Sequence, residues 1–193
     1  MATAKTRVAV LISGSGSNLQ ALIDAAASDD FPAEIFLVLG NKSDAYGLKR
    51  AENAGIATEV ISHKDFSDRE AFDDAMHEIL LAYDIEMVCL AGFMRILSDG
   101  FTRKWEGKML NIHPSLLPKY KGLHTHRRAL EAGDEEAGCS VHWVTAELDA
   151  GPILGQACVP ILEGDTEESL AARVLEQEHR LYPECLRQAI VGQ

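Results

Sequence analysis

Short apolar runs alternate with amphipathic stretches along most of this chain. Residues 7–13, 34–39, 57–61, 86–91 and 108–112 carry the apolar and β-branched side chains of buried strands. Between them, residues 18–27, 44–54 and 67–82 place apolar side chains at helical spacing. Gly55 closes the second of these helices from the C′ position. Ser67 or Asp68 caps the third, which turns Phe72, Met76, Ile79 and Leu80 inward. Strand and helix in alternation predict an α/β fold. The sheet should be mostly parallel and twisted, Rossmann-like in its N-terminal half, with helices on both faces.

The second half changes character. Residues 125–132 form a short helix stopped by Gly133. Residues 138–145 alternate like a strand with one exposed face, and residues 152–160 hold another, so antiparallel pairing is expected there. Asp165-Thr166-Glu167-Glu168 reads as a capping box opening a helix that reaches about Ile190, and Pro183 should kink or split it. No linker, repeat or low-complexity segment interrupts the chain, which reads as a single domain over residues 1–193.

Those 193 residues suffice for one α/β domain with a full hydrophobic core. The formal net charge of −12 repels nucleic acid and anionic membrane. Basic residues cluster no further than Lys119-Tyr120-Lys121 and Arg127-Arg128, so neither partner is expected. The four cysteines, Cys89, Cys139, Cys158 and Cys185, lack a C-x-x-C spacing. Cys89 and Cys158 lie in apolar runs and read as reduced core residues. There is no signal-peptide core and no apolar run approaching about 18 residues, so a cytoplasmic location is expected.

Candidate chemistry begins with Asn111-Ile112-His113-Pro114. Side chains two apart on a strand share a face, so Asn111 and His113 emerge together, and Pro114 ends the strand. An amide that donates to a carbonyl oxygen, beside an imidazole that moves a proton, suits acyl-type transfer. A core histidine and a turn asparagine are the plainer alternative. Ser13-Gly14-Ser15-Gly16-Ser17-Asn18 joins the first strand to the first helix, the position of an anion cradle. Leu19 stands where a dinucleotide fingerprint has its third glycine, and Gly40-Asn41 where it has an acidic residue. The lysine of a triphosphate loop is also absent. A phosphate monoester fits better, unless the segment is simply a tight turn.

Gly92-Phe93-Met94-Arg95-Ile96-Leu97 follows the fourth strand, where open α/β sheets bind ligands. It suggests a slot for a flat heterocycle, or a hydrophobic staple for the next helix. Asp149, in a turn-rich loop, is either a solvated carboxylate or the partner that holds a His113 imidazolium by charge attraction. His142 shares a strand face with Ser140 and Val144, lining the cleft or filling it. His124 and His126, with His113 and His142, lack metal-ligand spacing, and no metal is expected.

Together these segments resemble the folate-dependent formyltransferase family, and within it the phosphoribosylglycinamide branch. The likeness runs through residues 11–20, 90–97 and 110–120, Gly122-Leu123-His124-Thr125-His126-Arg127, Asp149-Ala150-Gly151-Pro152 and Gln177-Glu178-His179. It implies formyl transfer from 10-formyltetrahydrofolate, as co-substrate, to the amine of N1-(5-phospho-D-ribosyl)glycinamide in de novo purine synthesis. It implies a monomer or homodimer acting on small molecules without metal.

By the resemblance, Asn111, His113 and Asp149 are catalytic. Gly16, Ser17 and Asn18 hold the phosphate, and Glu178 contacts the ribonucleotide. Arg69, Met94, Arg95, Ile96, Leu97, Asn111, Thr145, Ala146, Glu147, Leu148 and Asp149 contact the folate. Leu175 departs from the glutamine that contacts substrate in some members, and Ser15 from an asparagine in some relatives. The implied mechanism is direct attack of the amine on the formyl carbon. Asn111 and protonated His113 stabilise the oxyanion, while Asp149 sustains the imidazolium and orients a relay water. A methionyl-tRNA formyltransferase would add an RNA-binding domain and a more basic surface, and a formyltetrahydrofolate hydrolase a regulatory domain. A non-catalytic phosphosugar sensor has no need of all three catalytic groups.

Overall fold

A computed structural model describes residues 4–192. The apolar runs become β1 (Thr6–Ile12), β2 (Ala33–Gly40), β3 (Ala57–Val60), β4 (Met87–Leu90), β5 (Met109–His113), β6 (Glu136–Trp143) and β7 (Ile153–Pro160). They form one sheet in the order β3-β2-β1-β4-β5-β6-β7. β1 to β5 pair in parallel, whereas β6 and β7 are antiparallel additions. The helices are α1 (Ser17–Ala26), α2 (Tyr46–Asn53), α3 (Arg69–Ala82), α4 (Asp99–Lys104), α5 (Thr125–Ala132) and α6 (Glu167–Val191).

Alternation along β1 splits the core into two layers. Val8, Val10 and Ile12 join Leu19, Leu22, Leu48, Val174 and Leu186 on one face. Ala9 and Leu11 join Phe72, Met76, Leu80, Phe101 and Trp105 on the other. Helices therefore cover both faces. Asp68 caps α3 by accepting from Ala71 N at 2.8 Å, and Gly55 and Gly133 follow α2 and α5 with φ of 71° and 68°.

Five local features differ from the sequence reading. β6 has no exposed face between Ala137 and His142. β7 shields its edge, α6 packs on it, and the Ser140 hydroxyl donates to Ser115 O at 2.7 Å while accepting from Leu117 N at 3.0 Å. Cys158 is exposed rather than core, because β7 is an edge strand. The capping box of α6 pairs Thr166 with Ser169, not with a glutamate. Pro183 lies inside α6 without splitting it. Its missing N–H removes one ladder bond, but Val174 before it and Tyr182, Cys185 and Leu186 around it pin both halves to the sheet. α4 is an element the sequence reading lacked.

The strand order reverses direction between β1 and β4, the switch point at which open α/β sheets leave a crevice. Tyr182 of α6, fully buried, closes this crevice from behind. Its hydroxyl donates to Leu90 O at 2.9 Å, at the carboxyl end of β4, and lies 3.2 Å from Leu110 O near the start of β5.

Candidate active site

The loop after β1 is shaped by one close approach. Gly16 takes φ 71°, and a Cβ there would sit 2.6 Å from the Cα of Gly47 at the start of α2. Glycine is the residue that tolerates both. α2 then fastens the loop: Gly47 N donates to Gly14 O at 3.0 Å, and Arg50 Nε donates to Ser15 O at 2.8 Å. The result is a cavity of about 220 Å³ lined by residues 13–18 with Ala91, Gly92 and Met94. Its floor is the N-terminus of α1, whose free N–H groups suit an anion.

Glu178 reaches this cradle from α6, accepting from Asn18 Nδ2 at 2.7 Å. Burial pushes the Glu178 carboxyl above its ordinary range, against the Asn18 hydrogen bond. Asn18 Oδ1 is buried without a partner among the described residues. Gly16, Ser17, Asn18 and Glu178 are thus brought together. Ser13, part of the cradle segment but given no role of its own by the sequence, has a buried hydroxyl that donates to Asn41 Oδ1 at 2.6 Å and accepts from Met94 N at 2.8 Å. That hydroxyl joins the cradle to the loop after β4.

A narrow slot of about 70 Å³ opens beside it, lined by Arg95, Ile96, Leu97, Asn111, Thr145, Ala146, Glu147, Leu148 and Asp149, with Leu90, Thr102, His142 and Val144. Met94 instead lines the cradle. Arg69 is exposed at the first turn of α3 and outside the slot lining.

Asn111 and Asp149 line this slot, and His113 meets Asp149 at its end. The β5–β6 register sets Asn111 opposite His142 and His113 opposite Ser140. His142 Nδ1 lies 3.0 Å from Trp143 O, which calls for a proton on that nitrogen. Nε2 lies 3.2 Å from Asn111 Nδ2 and 3.6 Å from Asp149 Oδ1: the neutral ring accepts from the amide, whose second hydrogen is left for a ligand, and the protonated ring donates to the carboxylate. His113 Nε2 donates to Tyr120 O at 2.9 Å, and Nδ1 faces Asp149 Oδ2 at 3.4 Å. Both ring nitrogens therefore face acceptors, an arrangement that a doubly protonated ring satisfies.

Asp149 is buried with φ 49° and accepts from Gly122 N at 2.9 Å. Burial pushes its carboxyl up, but His142, the Gly122 N–H and His113 outweigh that and hold it below the ordinary value. The Tyr120 carbonyl and Gly122 N–H carry no sequence signal as partners, since any residue supplies them. Among the described residues no three His, Cys, Asp or Glu side chains converge as a metal site requires. No helix among them is long and apolar enough to cross a membrane.

A phosphate-sized cradle beside an Asn-His-Asp slot defines a transferase-type crevice, and the sequence model of the formyl transferase family matches residues 6–186: this chain belongs to that family. Phosphoribosylglycinamide formyltransferase of Escherichia coli (strain K12) is 56% identical over 177 residues, spanning 91% of this chain and 83% of that protein. The trifunctional purine biosynthetic protein adenosine-3 of Chironomus tentans is 55% identical over 97% of this chain, which spans only 14% of that protein. The crystal structure of phosphoribosylglycinamide formyltransferase from Brucella melitensis matches with a TM-score of 0.94 at 55% identity, covering 98% of both chains.

Proposed function

We propose that this chain transfers the formyl group of 10-formyltetrahydrofolate to the amine of N1-(5-phospho-D-ribosyl)glycinamide, as one catalytic domain acting on small molecules in the cytoplasm. The observation that carries this reading is the meeting of His113 with Asp149 at 3.4 Å, where Asp149 and Asn111 line the slot.

The cradle at Gly16, Ser17 and Asn18 holds the phosphate, with Glu178 as acceptor for ribose hydroxyls. The folate lies in the slot against residues 95–97 and 145–149, with Met94 on the cradle side and Arg69 contacting only the part of the folate that extends beyond the slot lining. Ligand pockets usually enclose about 300–1,000 Å³, so the slot of about 70 Å³ has to widen. Ala146, Glu147 and Leu148 form its exposed wall, held by the Lys121–Glu147 ion pair at 3.1 Å, a surface contact that costs little to break.

The glycinamide amine attacks the formyl carbon, and the carbonyl electron pair moves onto oxygen. Asn111 Nδ2–H and the His113 imidazolium stabilise that oxyanion. The formyl oxygen takes over a His113 proton that Tyr120 O otherwise accepts. The oxyanion electron pair then re-forms the C=O bond as the C–N10 bond breaks, and a water held by Asp149 carries the proton lost by the attacking nitrogen to N10, while His113 stays doubly protonated. No covalent enzyme intermediate is needed.

Purified protein given 10-formyltetrahydrofolate with glycinamide ribonucleotide, with tRNA, or with water alone tests this. Formylated glycinamide ribonucleotide and tetrahydrofolate are expected in equal amounts from the first mixture only. Hydrolysis of the folate at the same rate in all three would refute the reading.

A further inference from the structure

The segment 92–98, whose Arg95, Ile96 and Leu97 form one wall of the slot, is fastened at Met94 and Ser98 by buried side chains. Met94 N donates to Ser13 Oγ at 2.8 Å, and Ser98 N donates to Asp73 Oδ2 at 2.6 Å. Asp73 is 1% exposed, on the face of α3 that otherwise buries Phe72, Met76 and Leu80. Its Oδ1 is buried without a partner among the described residues. Burial pushes its carboxyl up, opposed by the Ser98 hydrogen bonds and the charge of Arg69.

An aspartate in such a place is unfavourable for the fold alone. A well-packed apolar side chain would avoid the cost of removing a carboxylate from water. Nor is it needed to cap α4, because the Ser98 hydroxyl already accepts from Phe101 N at 3.3 Å. What the carboxylate adds is a short charge-assisted anchor where the slot wall turns into α4, whose Thr102 also lines the slot. α3 itself begins at Arg69, one turn before Asp73. One side chain therefore ties together the two segments assigned to the folate.

We infer that Asp73 is a positioning residue for the folate slot: it touches no substrate, and it holds the 92–98 wall in the geometry that binds the folate. This rests on the proposed formyl transfer. Its test is the split between the two Michaelis constants, measured on the full chain with thermal unfolding alongside. Asp73→Ala leaves Ser98 N–H unpaired and should raise KM for 10-formyltetrahydrofolate roughly tenfold, with KM for glycinamide ribonucleotide within about twofold. Asp73→Asn keeps an acceptor and should restore most of the loss.

Should the alanine variant not fold, Ser98→Pro and Ser98→Ala make the same test from the other partner. Both lack the hydroxyl, but only proline removes the N–H, and Ser98 has φ −72°, which proline accepts. Ser98→Pro, which removes the N–H as well as the hydroxyl, should show a clearly larger folate-selective loss than Ser98→Ala. Equal rises in both constants, or a lowered unfolding temperature with an unchanged folate constant, would overturn the inference. A wild-type protein that transfers no formyl group would refute the proposed reaction instead.

Discussion

Replacing Asp149 with Asn exchanges one carboxylate oxygen for an amide nitrogen and disturbs little else. Asn tolerates the left-handed backbone at φ 49° as well as Asp does. The hydrogen bond from Gly122 N persists, but to a neutral acceptor. Bonds to charged groups contribute about 1.5–3 kcal/mol against about 0.5–1.5 for neutral ones, so roughly 1 kcal/mol is lost there. The ion pair with His113 at 3.4 Å adds less than its Coulomb energy suggests, because burying both charges offsets most of it. A total stability loss of about 1–2 kcal/mol follows. Activity should fall further, about 10²- to 10³-fold in kcat, because the imidazolium loses the group that holds it.

The pH dependence has a definite sign. A carboxylate held below its ordinary value stabilises the fold fully above the unfolded value of about 3.9, and that contribution disappears as pH falls through the folded value. Urea unfolding at pH 7 and near pH 3 should show the wild-type advantage over Asp149→Asn shrinking on acidification. The double variant with His113→Ala should be little slower than the worse single variant, since members of one relay are not additive. An advantage that grows on acidification, or fully additive kcat losses, would show that Asp149 is a loop carboxylate and nothing more.

Asn18→Asp sets a second carboxylate against Glu178 and beside the phosphate, so KM for the ribonucleotide should rise at low salt while folate KM stays within about twofold. Gly16→Ala places a methyl against Gly47 and forces a non-glycine residue to φ 71°. Phosphate-dependent binding should fall at least about tenfold, with a stability cost of about 1–2 kcal/mol. Glu178→Gln removes a buried charge and should raise stability by about 1 kcal/mol at neutral pH while weakening ribonucleotide binding. Because burial holds the native carboxyl above its ordinary value, that gain is full above the folded value and gone below about pH 4.3, which calorimetry at two pH values checks.

Sheet, helices and crevice were legible in the sequence because their signals are local. The apolar runs, Gly55, Asp68 and Gly133 each act within a few residues. The paired side chains Asn111 and His113 were legible for the same reason. What could not be read depends on partners far along the chain. That Cys158 is exposed follows from β7 being the sheet edge, and the burial of β6 from α6 packing across it. The tautomer of His142 comes from the β6 backbone, and its bond to Asn111 from the β5–β6 register. Asp73 looked like any polar helix residue beside Phe72, until the fold brought Ser98 to it. Arg69, carried over from the family resemblance, lies away from the slot lining in this arrangement, and Met94 is turned to the cradle.

The hydroxyl of Tyr182 and the carboxylate of Glu178 lie one turn apart on α6, and both act on segments made much earlier in synthesis. A ribosome delivers β1 to β7 before α6. Until that helix arrives, a nascent chain has a cradle without Glu178, and the Leu90 and Leu110 carbonyls lack their shared donor. Docking of α6 therefore completes both the core and the crevice. A chain short of α6 lacks one side of the crevice, however well its sheet has formed.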